Sequence, residues 1–208
     1  MIPAGMAHGT TDGTTTDEWS VTDGPVPLLV GARVLGHLAW VERRLHGVLG
    51  GWVASTPEPA VAVLLDRNAQ HHAWRSAALV DRLPLLRELP RDQLVVAPGT
   101  GVEAALDELG PIASTDARLD ATYGVVVPEL LAAYRSLVGR LTPVADAPLL
   151  RWLPVLERDL AADADAAVAP DLTDGPGHGP GRGDAVAHLR SSLAASEGLA
   201  GATGLVLR

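Results

Sequence analysis

Apolar residues recur at helical spacing in four long stretches of the chain. In the first, Leu28, Leu35, Leu38, Leu45 and Leu49 share one face between Pro27 and Val53, the recurrence of an amphipathic helix. A single acidic residue interrupts that stripe: Glu42 falls on the leucine face between Leu38 and Leu45. A second stretch opens after Ser55-Thr56-Pro57-Glu58-Pro59 and extends to about Leu83, the hydroxyls and prolines marking a helix start. The third spans about Thr115 to Leu141 on the repeat Tyr123, Val127, Leu130, Tyr134, Leu137 and Leu141, with a kink predicted at Pro128. The fourth begins near Pro148 behind a cap at Asp146 and continues through Leu149, Leu153, Leu156 and Leu160.

The connections predict the topology. Only a few residues separate the first two helices and the last two, which makes each pair an antiparallel hairpin. Between the hairpins, Pro84 to Ser114 carries prolines at 84, 90, 98 and 111 and one short helical piece, Val102 to Leu109. A connection of that length can run along a whole bundle, so the third helix need not oppose the second. The reading is an all-α fold, a four-helix bundle over residues 21–169 with a long crossover between helices two and three. Residues 1–20, rich in Thr, Gly and Asp, are expected to form a disordered leader, and Thr22 and Asp23 to cap the first helix. Residues 170–183 read as a Gly/Pro linker. Residues 184–208 hold a short C-terminal helix, Asp184 to Glu197, and a tail. That end either packs on the bundle as a fifth helix or docks as a tethered peptide on a partner.

Composition narrows the functions. Among 208 residues, 47% are hydrophobic, enough for the core of one domain. A formal charge of -9 argues against nucleic acid or an anionic membrane surface as partner, since both reward clustered positive charge. All 16 basic residues are arginine, and lysine and phenylalanine are absent, the mark of a high-GC bacterial coding bias. With no cysteine, thiolate catalysis, disulfides, zinc–thiolate clusters and cysteine-ligated iron–sulfur centres are excluded. The N-terminus lacks the cationic and apolar segments of a secretory signal, which leaves a cytoplasmic location as the expectation. Arg33, Glu42 and Arg43 interrupt the best candidate membrane span.

Hairpin, long crossover and hairpin together resemble the ferritin-like superfamily in connectivity, over roughly residues 26–169. In that family's di-iron members two helices each supply a glutamate and the other two each supply Glu-x-x-His. Here no Glu-x-x-His occurs: Asn68 and Ala69 stand three residues before His71 and His72, and Leu160 stands three after Glu157. The resemblance therefore implies an incomplete metal site of Glu42, His72 or His71, Glu129 and Glu157, holding iron or manganese, or no ion. Glu42 has a second reading, as a core carboxylate paired with Arg75 or hydrogen-bonded to Tyr134 or His72. Asn68 and His72, one turn apart, place a polar patch opposite it, and neighbouring His71 and His72 point to different faces.

Three functions follow. The chain is a bundle with an incomplete metal site acting as a scaffold or regulatory protein, with another protein or a second copy as partner; or an iron- or manganese-dependent oxidase or oxygenase; or a small-molecule binding bundle with Asn68, His71 and Tyr134 in the pocket. Leu94 to Leu109 (LVVAPGTGVEAALDEL) reads as a strand, a glycine turn and a helix start, but it lacks the lysine of a P-loop. No Gly-x-Ser-x-Gly or His-Glu-x-x-His is present.

Overall fold

The computed structural model describes residues 26–85, 87, 89–168 and 182–203, and every regular element among them is helical. In chain order these are α1 (Leu28–Val53), α2 (Pro59–Asp81), α3 (Arg91–Leu94), α4 (Thr100–Asp107), α5 (Thr115–Ala121), a π-helical turn (Thr122–Val126), α6 (Val127–Val138), α7 (Ala147–Ala167), α8 (Arg182–Ala195) and α9 (Gly198–Ala202). The predicted leader at 1–20, the caps Thr22 and Asp23, linker residues 170–181 and the tail from 204 lie outside the described residues. Among those residues no helix is long and apolar enough to cross a membrane.

Helices α1 and α2 make the most extensive pairing. The Ser76 hydroxyl meets the Ala39 carbonyl, His72 meets Glu42, and His46 meets the Ala69 carbonyl, so the two run antiparallel. Leu35, Leu38, Leu45 and Leu49 are buried as their spacing requires, whereas Leu28, in the first turn, is exposed. Ser55 and Thr56, predicted to open α2, instead donate both hydroxyls to the Trp52 carbonyl and close α1. A helix end leaves carbonyls without donors, and those of α1 are nearer to these side chains than the first amides of α2 are.

The long connection is pinned at both ends. Arg118, in α5, bonds the Ile112 carbonyl and the Thr56 hydroxyl, and its guanidinium lies over the Trp52 ring. Near the other end, α3 crosses α1 so closely that a Cβ on Gly36 would fall on the Leu94 carbonyl. No strand forms around Leu94, which ends α3; the glycine turn and the helix after it are present as α4. A lone strand without a ladder partner would leave its backbone groups unpaired.

α5, the π turn and α6 follow one another without a loop. Val127 donates its amide to the Thr122 carbonyl five residues back, and Pro128 has no amide to continue the ladder. The kink predicted at Pro128 thus takes the form of a widened turn just before it. Asp146 stands at the start of α7 but accepts from the Thr142 amide and hydroxyl, tightening the preceding turn instead of capping the helix. Leu189 and Leu193 of α8 and Leu199 of α9 are buried, with α8 against α4 and α5 and α9 against α6. Through these leucines α8 and α9 are part of the core.

Candidate functional site

One polar network of the core joins α1, α2, α6 and α7. Glu42 is at the centre, 0% exposed. Its Oε1 accepts from the Tyr134 hydroxyl at 2.8 Å and its Oε2 meets His72 Nδ1 at 2.5 Å. Arg75 Nε reaches both oxygens at 3.2 Å. The carboxylate thus holds all three partners expected of a paired core glutamate. Helical spacing puts them there: Asn68, His72, Arg75 and Leu79 succeed one another at three or four residues on the inner face of α2.

Arg75 continues the network into α7. Its Nη1 donates to Asp159 and, at 2.8 Å, to Asp163 Oδ2. Asp163 Oδ1 lies 2.7 Å from His71 Nδ1. Asn68 donates to the Tyr123 hydroxyl at 2.8 Å, and Arg67 Nε donates to Asn68 Oδ1 at 3.3 Å. The network thus runs from the fully buried Tyr134 out to His71 and Asp159, whose side chains are 39% and 34% exposed.

Protonation follows from this geometry. Burial by itself raises the Glu42 carboxyl, but the charges of Arg75 and His72 and the hydrogen bonds from His72 and Tyr134 outweigh it, and the net shift is downward. Glu42 is therefore a carboxylate. His72 Nε2 is buried without a hydrogen-bond partner. Burial against the Glu42 charge pushes the Tyr134 hydroxyl well above its ordinary value, and burial raises that of Tyr123. Arg75 loses by burial and gains more from Glu42 and Asp163, so its guanidinium is held charged.

The sequence-derived ligand set is only partly assembled. Glu42 and His72 touch, and Tyr134, Asn68 and His71 belong to the same network. Glu129 does not join it: its carboxylate lies against Gly198 at the start of α9. Glu157 is likewise elsewhere, ion-paired with Arg135 on the outer side of α6 and α7 at 2.7 Å. The centre where inward carboxylates would hold iron or manganese is filled by the Arg75 guanidinium, so the residues present do not fit a metal pair there. Nor do Glu42, Asn68, His72 and Tyr134 line an open pocket, since each is 0% exposed.

Asp163 is the residue that sequence reasoning passed over, although a signal existed. Leu153, Leu156 and Leu160 set the inner face of α7, and Asp163 is the next position on it, as Glu42 is on α1. Comparison of the chain with protein-family models, with curated proteins and with solved structures finds no match.

Proposed function

We propose that this protein is a helical bundle of ferritin-like connectivity in which an arginine stands where a metal pair would be held, and that it serves as a scaffold or regulatory partner, not as an iron oxidase. The observation that carries the reading is Arg75, 0% exposed between Glu42 of α1 and the aspartates of α7. A guanidinium against the fully buried Glu42 takes the place of a metal there, and a second cation at Glu42 would meet like-charge repulsion at low dielectric. The connectivity is supported by the pairing of Asn68 with Tyr123 and by the meeting of Arg75 and Tyr134 at Glu42, further along both helices. That order gives α2 and α6 the same direction, as a long crossover allows. A partner has apolar surface to cover: Trp74 of α2 and Trp152 of α7 are 45% and 37% exposed.

The test is to add iron(II) and then oxygen to the purified chain, following absorbance, oxygen consumption and retained iron. The reading expects no oxygen consumption and no iron retained. Near-stoichiometric iron that disappears in Glu42→Gln overturns it. Light scattering against concentration then tests self-association: a mass above 21.6 kDa assigns a second copy as partner, and an unchanged mass excludes one.

A further inference from the structure

We propose that His71, Asp159 and Asp163 form a binding site for a single borderline divalent cation, zinc(II) or manganese(II), at the outer edge of the polar network, where it clamps α7 onto α2. This site is apart from the arginine-filled centre. One ligand atom from each residue lies within 4.8 Å of the others, a spacing that one ion can bridge. The residues sit on rigid elements: Asp159 and Asp163 are one turn apart on α7, and His71 faces them from α2. His71 Nδ1 and Asp163 Oδ1, 2.7 Å apart, have the separation of neighbouring ligands on one ion.

Charge is the second and independent observation. Glu42, Asp159 and Asp163 bring three carboxylates to the network and Arg75 brings one guanidinium. Arg67 directs its Nε to Asn68 instead. Asp159 and Asp163 share a single nitrogen, Arg75 Nη1, and the partial exposure of His71 and Asp159 admits a hydrated ion beside them.

Binding replaces the proton between His71 and Asp163. Nδ1 donates its lone pair to the ion, with the ring proton carried on Nε2, while Asp159 and Asp163 each supply one oxygen. Arg75 stays on the other oxygen of Asp163 and holds the carboxylate in place from behind. The imidazole ligand favours zinc or manganese over magnesium, which prefers oxygen donors alone.

Calorimetric titration of the full chain with zinc, manganese and magnesium chlorides tests the site. The inference expects one zinc bound, magnesium much weaker, and affinity lowered about 10-fold or more in His71→Ala and in Asp159→Asn. Both replaced side chains are partly exposed, and circular dichroism verifies that the variants fold. Zinc should also raise the thermal transition of the wild type but not of His71→Ala. Absence of zinc binding, equal affinity for magnesium, or an affinity unchanged in His71→Ala overturns the inference. An unchanged affinity would put the ion on another histidine, such as His46 or His188. None of these outcomes bears on the arginine-filled centre, which is tested with iron and oxygen.

Discussion

Arg75 Nε lies 3.2 Å from both oxygens of Glu42, and the far edge of the same guanidinium holds Asp159 and Asp163. One side chain thus joins α1, α2 and α7 electrostatically, with Tyr134 adding α6 through Glu42. Replacing a buried ion's partner costs far more than the net worth of the pair, because the remaining charges stay desolvated.

Arg75→Met is therefore expected to lose about 3–5 kcal/mol in urea unfolding, whereas Tyr134→Phe, which removes one hydrogen bond to Glu42, loses about 1–3 kcal/mol. Arg75→Lys should recover only part of the loss, since one ammonium cannot reach Glu42 and both aspartates in the geometry of a planar fork. Equal losses for Arg75→Met and Tyr134→Phe would contradict this account.

Acid should weaken the fold through Glu42. Its folded-state value lies below the ordinary 4.5, so the folded protein binds this proton less readily than the unfolded chain does. The associated stability is fully present above that ordinary value and is lost as the pH falls through the lower folded-state value. Denaturation midpoints measured at successively lower pH should fall more steeply in the wild type than in Glu42→Gln.

The chain has 2 tyrosines, Tyr123 and Tyr134, and both are buried with hydroxyls shifted upward. A raised folded-state value gives stability that is full below the ordinary 10.0 and declines as the pH rises above it. Ultraviolet titration should show no native tyrosinate near that value. Tyrosinate absorbance should rise together with the loss of helical circular dichroism, and a tyrosinate signal from a still-helical protein would contradict the buried network.

Gly36→Ala tests the contact between α1 and α3. A methyl group there meets the Leu94 carbonyl, backbone that cannot swing aside as a side chain would. The expected cost is about 1–3 kcal/mol despite alanine's better helix propensity. Gly47→Ala meets open space and serves as the control, with stability equal to or slightly above the wild type.

The long helices were legible because their apolar stripes are continuous. α1 from Leu28 to Val53 and α7 from Ala147 to Ala167 follow leucine spacing that no other regular structure accommodates. Glu42 was legible as an anomaly for the same reason, being a charge on an otherwise apolar face. Helix ends were less so: Ser55 and Thr56 have the chemistry to start α2 or to finish α1, and local sequence does not choose between them.

Pattern along the chain therefore determines the helical class, the main helices and which polar residues must be inside, since burial follows periodicity and periodicity is local. Which partner each buried group receives is decided only when the helices pack. Arg75 is far in the chain from Asp159 and Asp163 and becomes their neighbour because α2 and α7 run antiparallel, as Arg82 over Trp152 and His71 beside Asp163 record. The same packing takes Glu129 to α9 and Glu157 to Arg135, away from Glu42. A few tens of degrees of helix rotation separate an inward carboxylate from a surface ion pair, and that rotation is set by side-chain packing across the whole core.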